Sequence, residues 1–263
     1  MDAPSTPTGG AAPPRHIGAR IRPAWERLAA PSRDPQPFPP ALVEGLPARV
    51  VRWLRRVITP GSRLLTGARI RMHGRINIGR WRPFSADQII GPDGFIWAAR
   101  AGRAPLSIRG YDRFTDGRGE MRWRLAGIIP VMSAAGDDIT RSAAGRLAAE
   151  MLVITPAAAL SPAVRWSEVD ARTARATVTL GPYRHEITLE IARSGQARHL
   201  SLPRWGSPDG GPPGEHPFEV SFTDELEVHG QRLPGAFQAA CRPADGGEPI
   251  EFFRATIDRA TLF

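Results

Sequence analysis

The sequence predicts a mainly β (α+β) fold: a curved, incompletely closed antiparallel β-barrel of about ten strands, with one helix plugging it and a second helix near the N-terminus. Two observations predict it. From residue 64 onward, apolar and polar side chains alternate with a period of two, which is typical of strands with one face in water. Turn sequences such as GPDG at 91–94 and DGRG at 116–119 separate these segments, as in a meander. A sheet of that many one-sided strands curls or is covered by helices, because its apolar face has to be buried.

The first 40 residues are rich in proline, with ten prolines among them. We expect residues 1–40 to be largely irregular, with one turn of helix near 21–28, and residues 41–263 to form a single half-barrel domain. The segment that follows, residues 41–61, reads ALVEGLPARVVRWLRRVITPG. Its apolar residues recur at helical spacing between arginines. It therefore predicts an amphipathic basic helix over 41–58, which we expect to pack on the outside of the sheet.

The strands and one further helix follow in order along the chain. In ARIRMHGRINIG, residues 68–79, the apolar side chains share one face and the polar side chains share the other. The same alternation predicts strands around Trp97 and Trp123. A helix over 141–155 interrupts them, with an apolar stripe that ends before a proline. Strands resume near residue 176 and continue to residue 260.

A curved sheet with a helix across its mouth leaves an apolar cavity wherever the helix does not fill it. The sequence places large and adaptable side chains on the concave side, where they would line a ligand pocket or form a dry core equally well. The residues expected there are Met72, Trp97, Met121, Trp123 and Met151, with Arg146 near the entrance.

Three charged residues belong to the same region. Arg146 and Glu150 are spaced i, i+4 on the predicted helix, so they can form a structural ion pair, or Arg146 can bind the acidic head of a ligand. Asp112 falls on the apolar face of its strand, where a carboxylate needs a partner such as Arg146 or Arg75. Asp112 and Glu150 could also be the two carboxyl groups of an acid/base pair.

Several function classes have no support in the sequence. Nucleophile elbows, phosphate-binding loops and dinucleotide-binding glycine motifs are absent. The single Cys241 and six scattered histidines lack the spacing of metal ligands, so we expect no metal site and no cofactor. Without an apolar run of about 18 residues or a signal-peptide core, we expect a cytoplasmic protein.

The charge is strongly positive and unevenly distributed. All 35 basic residues are arginine and the net charge is +9. Residues 1–130 hold 22 arginines and 9 acidic residues, or +13, whereas residues 131–263 hold 13 and 17, or −4. A basic half can attract phosphates, including lipid headgroups. Because the arginines are dispersed along the strands, no specific nucleic acid is expected as a partner.

Several stretches of the chain resemble a known family. They are LPARVVRWL, GRINIGRWRPFSADQIIGPDGFIWAA, GYDRFTDGRGEMRWRLAGIIPV, RLAAEMLVITPAAAL and VRW. Their order resembles a family of bacterial proteins known only as a domain of unknown function, over roughly residues 44–260. That family is similar to the open half-barrel of the outer-membrane lipoprotein carriers, which implies a curved sheet with helices on its concave side. The resemblance assigns no role to the matching residues, which here are Trp97, Asp112, Arg146, Glu150 and Pro156.

Three functions remain open, and a binding protein is favoured over an enzyme. The leading hypothesis is a protein that binds a hydrophobic or amphiphilic small molecule, such as a lipid, in the concave cavity. The first alternative is a hydrolase or isomerase that uses Asp112 and Glu150, which requires one carboxyl group with a raised pKa. The second is a binder of anionic surfaces or nucleic acid through the basic N-terminal half, with peripheral membrane contact.

Overall fold

The chain folds around one antiparallel sheet of thirteen strands in this computed structural model, which describes residues 13–14, 17–32, 34–207, 211–243 and 246–263. For residues 1–12, the prediction of an irregular segment lies outside the part of the chain that the structure describes. The order of the strands across the sheet is β6-β5-β4-β3-β2-β1-β13-β12-β11-β10-β9-β8-β7. The strands are β1 Ala68–Asn77, β2 Trp81–Gly91, β3 Gly94–Ala101, β4 Ile108–Thr115, β5 Arg118–Leu125, β6 Ile129–Ala135, β7 Val164–Glu168, β8 Thr173–Leu180, β9 Tyr183–Ile191, β10 Ala197–Gly206, β11 Gly214–Val228, β12 Gln231–Cys241 and β13 Ile250–Leu262.

The predicted mainly β fold is confirmed, with thirteen strands instead of about ten. Alternation of buried and exposed residues is clear in β1, where Ile70 and Met72 are buried and Arg71 and His73 are exposed. The two edge strands, β6 and β7, are absent from the prediction. Most of their residues are exposed or half-buried, so neither needs the alternating pattern by which the other strands are recognised.

The sheet curls around one helix, α3, which runs from Asp137 to Ile154. This helix contacts β4 and β5 on one side and β9 and β10 on the other. In a flat sheet β5 and β10 would be about 38 Å apart, since neighbouring strands lie about 4.8 Å apart. A helix about 10 Å wide reaches both strands only if the sheet curves around it. The predicted plugging helix over 141–155 is therefore confirmed.

A second helix, α2, runs from Ala48 to Val57 and packs on the concave face as well. Its residues Val50, Trp53 and Leu54 are buried in the same core as α3 and the inward side chains of β8, β9 and β12. The prediction that the 41–58 helix lies outside the sheet was wrong. The apolar stripe was read correctly, but amphipathicity does not distinguish between the two faces of a sheet. The chain from Pro40 to Val43 forms a separate 3₁₀ helix.

The helix on the convex face is α1, from Arg22 to Leu28. Together with the turn before it, α1 covers β2, β3 and β4 and forms a second apolar cluster there. The buried members of this cluster are Ile17, Ile21, Ala24, Trp25, Ile89, Ile96, Ala98 and Tyr111. Among the described helices, none is both long enough and apolar enough to cross a membrane.

Candidate functional site

A cavity of about 300 Å³ lies between α3 and the concave face of the sheet. Its volume is at the lower end of the range of about 300–1,000 Å³ that is common for small-molecule pockets. Its walls come from α3 and from strands of both halves of the chain, because the curl brings the two halves together. The lining residues are Ile70, Met72, Ile76, Gln88, Trp97, Asp112, Met121, Arg146, Ala149, Glu150, Val153, Ile154, Leu200, Arg204, Phe218, Val220, Phe222, Phe237, Ala239, Phe252 and Phe253.

Six of the eight residues predicted for a site lie in this lining: Met72, Trp97, Asp112, Met121, Arg146 and Glu150. The other two, Trp123 and Met151, are buried in the core and do not line the cavity. The Trp123 ring packs against that of Trp97, with their centroids 5.6 Å apart. The aromatic residues of β2 and β3 therefore contribute both to the core and to the cavity wall, since Phe84 belongs to the core and Trp97 lines the cavity.

Arg146 is the centre of a polar network that attaches α3 to the sheet. Its Nε donates to Glu150 Oε1 at 2.7 Å, and its Nη2 donates to Gln88 Oε1 at 3.3 Å. Its Nη1 lies 3.5 Å from Asp112 Oδ2. Gln88 closes the ring by donating from Nε2 to Glu150 Oε2 at 2.5 Å. The guanidinium also lies over the Phe95 ring, 4.5 Å from its centroid. Arg146 is therefore already neutralised by the protein.

Asp112 has a raised pKa. Burial is the main cause, since it disfavours the charged carboxylate. The nearby Arg146 and a hydrogen bond of 2.8 Å from Trp123 Nε1 to Asp112 Oδ1 oppose this effect without cancelling it. Both oxygens of Asp112 thus face groups of the protein itself. Of its two predicted partners, Asp112 pairs with Arg146.

Arg204 is a cavity residue that the sequence analysis missed. It extends from β10 on the same face as the buried Leu200 and Leu202, and its Nε donates to the Ser142 carbonyl at 3.3 Å. The guanidinium lies over Phe218, 4.8 Å from the ring centroid. Burial, reinforced by repulsion from Arg146, lowers the pKa of Arg204 to about 10, and attraction by Glu150 and Asp112 only partly opposes this effect. No carboxylate of the described chain forms an ion pair with it. The pattern LSLPR holds the signal, namely an arginine in register with two apolar residues of a strand.

The C-terminal strands supply an aromatic wall that the sequence analysis also missed. Phe218, Phe237 and Phe253 come from three neighbouring strands, β11, β12 and β13. Phe252 lines the cavity as well, although consecutive strand residues normally point to opposite faces. The register between β12 and β13 shifts at Ala239, and such a bulge turns the extra residue toward the same side.

The arrangement can hold an apolar group and present it with a cation. Most of the wall is aliphatic or aromatic. Of the two arginines in the wall, Arg146 pairs with carboxylates, whereas Arg204 forms no ion pair with a carboxylate of the described chain. The indole N–H of Trp97 is buried and has no acceptor among the described residues. Within the same part of the chain, no three side chains of the metal-binding types come together as a metal site would require.

Comparison with known proteins gives a family and two distant structural likenesses. The sequence profile of the Family of unknown function (DUF6544) matches residues 36–253. No curated protein matches the sequence. A LolA superfamily protein from Nitrosomonas europaea is similar with a TM-score of 0.40 and 8% identity, over 82% of this chain and 92% of that one. A porin-like protein from Bacteroides uniformis is similar with a TM-score of 0.30 and 8% identity, over 77% and 98%. At these scores neither likeness indicates what the cavity binds.

Proposed function

The chain belongs to the Family of unknown function (DUF6544), and we propose that it binds a small amphiphile with an acidic head group in the concave cavity. The observation that carries this proposal is Arg204, a cation in the wall of a mostly apolar cavity that forms no ion pair with a carboxylate of the described chain. Arg204 is half-buried, and a charge that is shielded from water without an ion-pair partner is costly. A carboxylate or phosphate head would remove that cost by forming charge-assisted hydrogen bonds with the guanidinium.

The remainder of the wall suits the tail of such a ligand. Rigid rings at Trp97, Phe237 and Phe253 offer large apolar surfaces, and Met72 and Met121 adapt to irregular shapes. Burying a tail against this wall contributes favourably in proportion to the apolar area removed from water. The acidic head gives the ligand its orientation, and the tail supplies most of the buried area.

We assign the contact with the head group to Arg204 and not to Arg146, for which the sequence analysis left both a structural ion pair and an acidic ligand open. Arg146 already contacts Glu150, Gln88 and Asp112. A ligand that took Arg146 would leave these groups without their cation, whereas a ligand on Arg204 displaces no ion pair of the described chain.

One observation favours the hydrolase or isomerase alternative, namely the raised pKa of Asp112 in the cavity wall. Against it, the Asp112 oxygens face Trp123 and Arg146, and Glu150 is held by Arg146 and Gln88. The hydrolase form of this alternative requires slow hydrolysis of an ester of a small acid, abolished in Asp112→Asn, which retains ligand binding. Equal turnover in the variant and the wild type would exclude Asp112 as its acid or base.

The test uses dodecanoate and dodecanol as matched probes in titration calorimetry, with native mass spectrometry of protein prepared without detergent. We expect Arg204→Met to bind dodecanoate about ten- to a hundredfold more weakly, the usual effect of losing hydrogen bonds to a charged group. Dodecanol binding should change little. The control is Arg198→Met, an exposed arginine of the same strand, which should behave as the wild type. Equal dodecanoate affinity in both variants would contradict the role of Arg204.

A further inference from the structure

Exposed apolar side chains are concentrated at one end of the sheet. One row of paired residues crosses β1 to β6 at this end. It consists of Gly74, Phe84, Ala101, Ile108, Leu125 and Ile129. We define the rim as residues 78–83, 100–109 and 124–132, which lie beyond this row or within three positions of it. Of nine large apolar side chains exposed in the described chain, six belong to the rim: Ile78, Leu106, Ile128, Ile129, Val131 and Met132. The most exposed, Ile128, is 75% accessible.

The rim is also strongly basic. Its three segments contain six arginines and no aspartate or glutamate: Arg80, Arg82, Arg100, Arg103, Arg109 and Arg124. None of the six has a carboxylate partner among the described residues. Arg100, Arg109 and Arg124 lie directly opposite one another on β3, β4 and β5. Like charges in that position repel each other and destabilise the sheet, so a partner that supplies negative charge would relieve this repulsion.

We infer that the rim docks on the surface of an anionic lipid bilayer. Apolar side chains that protrude between cations are the combination that binds lipid interfaces, since the apolar groups enter the headgroup region and the cations contact lipid phosphates. Leu106 and Ile128 protrude from the β3–β4 and β5–β6 connections, with Arg103 and Arg124 close by in sequence. The cavity residue Ile76 lies near the same end of β1, so docking would bring the cavity close to lipid.

Two other occupants fit less well. A second copy of the chain in a symmetric contact would bring the six arginines of one rim against those of its partner, which is repulsive. Nucleic acid would neutralise the arginines, but its contacts are mostly polar, and exposed isoleucine and leucine side chains gain little from them.

The experiment is flotation of the purified protein with phosphatidylcholine vesicles that contain or lack phosphatidylglycerol. We expect binding to the anionic vesicles that weakens with salt, and little binding to phosphatidylcholine alone. Replacing Ile128 and Ile129 together by serine should weaken binding on the order of tenfold. Arg103→Ser should weaken it about fivefold, the effect of one cation near an anionic surface. The matched controls are Val169→Ser and Arg198→Ser, which change exposed residues outside the rim.

Any of three results would overturn the inference. These are no binding to anionic vesicles at low salt, equal binding to both vesicle types, and equal effects of the rim and control substitutions on binding. Light scattering that finds a dimer dissociated by the rim substitutions, without vesicle binding, would assign the rim to a second copy instead. Dodecanoate binding without vesicles is measured on the same variants. It should be unchanged by the rim substitutions, so failure of docking and failure of the cavity to bind a ligand are distinguishable.

Discussion

The carboxyl group of Asp112 makes the stability of the protein depend on pH. The side chain is 19% exposed, and burial raises the pKa of its carboxyl group. The folded protein therefore holds this proton more tightly than the unfolded chain does, whose aspartate pKa is about 3.9. It follows that the wild type loses stability as the pH rises from the unfolded pKa to the folded pKa, and no further loss from this group occurs above that window.

Asp112→Asn should remove this loss, because asparagine is uncharged and still offers an oxygen to Trp123. We expect the variant to gain stability relative to the wild type as the pH rises from about 3.9, and the difference to become constant at higher pH. Urea unfolding across this pH range measures it, with the exposed Asp93→Asn as a control. A difference that grows in the opposite direction would mean that attraction by Arg146 outweighs burial.

Arg204 and Asp112 also indicate what sequence reasoning can and cannot find at this scale. Both are charged residues in register with apolar neighbours on a strand. The pattern was recognised for Asp112 and overlooked for Arg204, although the signal is of the same kind. The sequence does not determine which residue pairs with such a charge. The sequence offered Arg146 and Arg75 to Asp112 equally, since the choice depends on where α3 crosses the sheet.

At the scale of elements, the attachment of α3 to the sheet depends on Arg146. This arginine lies between two carboxylates and an amide, and its side chain is 17% exposed. Arg146→Gln should lower the free energy of unfolding by about 3–5 kcal/mol, the usual cost of leaving buried carboxylates without their cation. Chemical denaturation measures this change.

Arg141→Gln is the matched control on the same helix. Arg141 is 43% exposed and pairs with the exposed Glu215, so its loss should cost at most about 1 kcal/mol. If both substitutions cost the same, the network around Arg146 would not be what holds α3 in place. If Arg146→Gln kept its stability and lost only dodecanoate binding, Arg146 would be the ligand's partner and the assignment to Arg204 would be wrong.

The elements that the sequence predicted are those whose pattern is local. Alternation identified β1, and a stripe before Pro156 identified α3. The edge strands were missed because their residues are mostly exposed. The side on which α2 packs was wrong, since an apolar stripe contains no information about which face of the sheet it covers. The wall formed by β10 to β13 was missed for a related reason, because only the curl of the sheet brings those strands opposite Trp97.

At the scale of the whole molecule, the first and last strands of the sheet lie side by side. β1 pairs with β13 at the centre of the strand order, and β6 and β7 form its edges. α3 connects these two edge strands in sequence and lies inside the curve. The cavity therefore depends on both halves of the chain, so we attribute it to the complete sheet and not to either half.

The N-terminal segment covers the opposite face of this sheet. Trp25 is 1% exposed in the cluster that α1 forms with Ile89, Ile96 and Tyr111. Arg27 binds Asp116 in the β4–β5 turn through Nη2 at 2.9 Å from each carboxylate oxygen. Residues 17–28 are thus packed against the half-barrel, whereas the sequence predicted only one turn of helix near 21–28 in an otherwise irregular segment before residue 41.

Substituting Trp25 tests whether α1 and the turn before it unfold together with the sheet. Trp25→Ala should lower the free energy of unfolding by about 3–5 kcal/mol, as expected when a buried tryptophan is truncated. Trp81→Ala is the matched control. It removes the same side chain from a half-buried position, and its smaller loss of buried area should cost less. Urea unfolding followed by circular dichroism measures both.

If the segment were only loosely attached, Trp25→Ala would cost no more than Trp81→Ala. A single cooperative transition with the larger loss would make α1 the outer layer of one domain, because the free energy of the convex contact would then belong to the unfolding of the sheet itself.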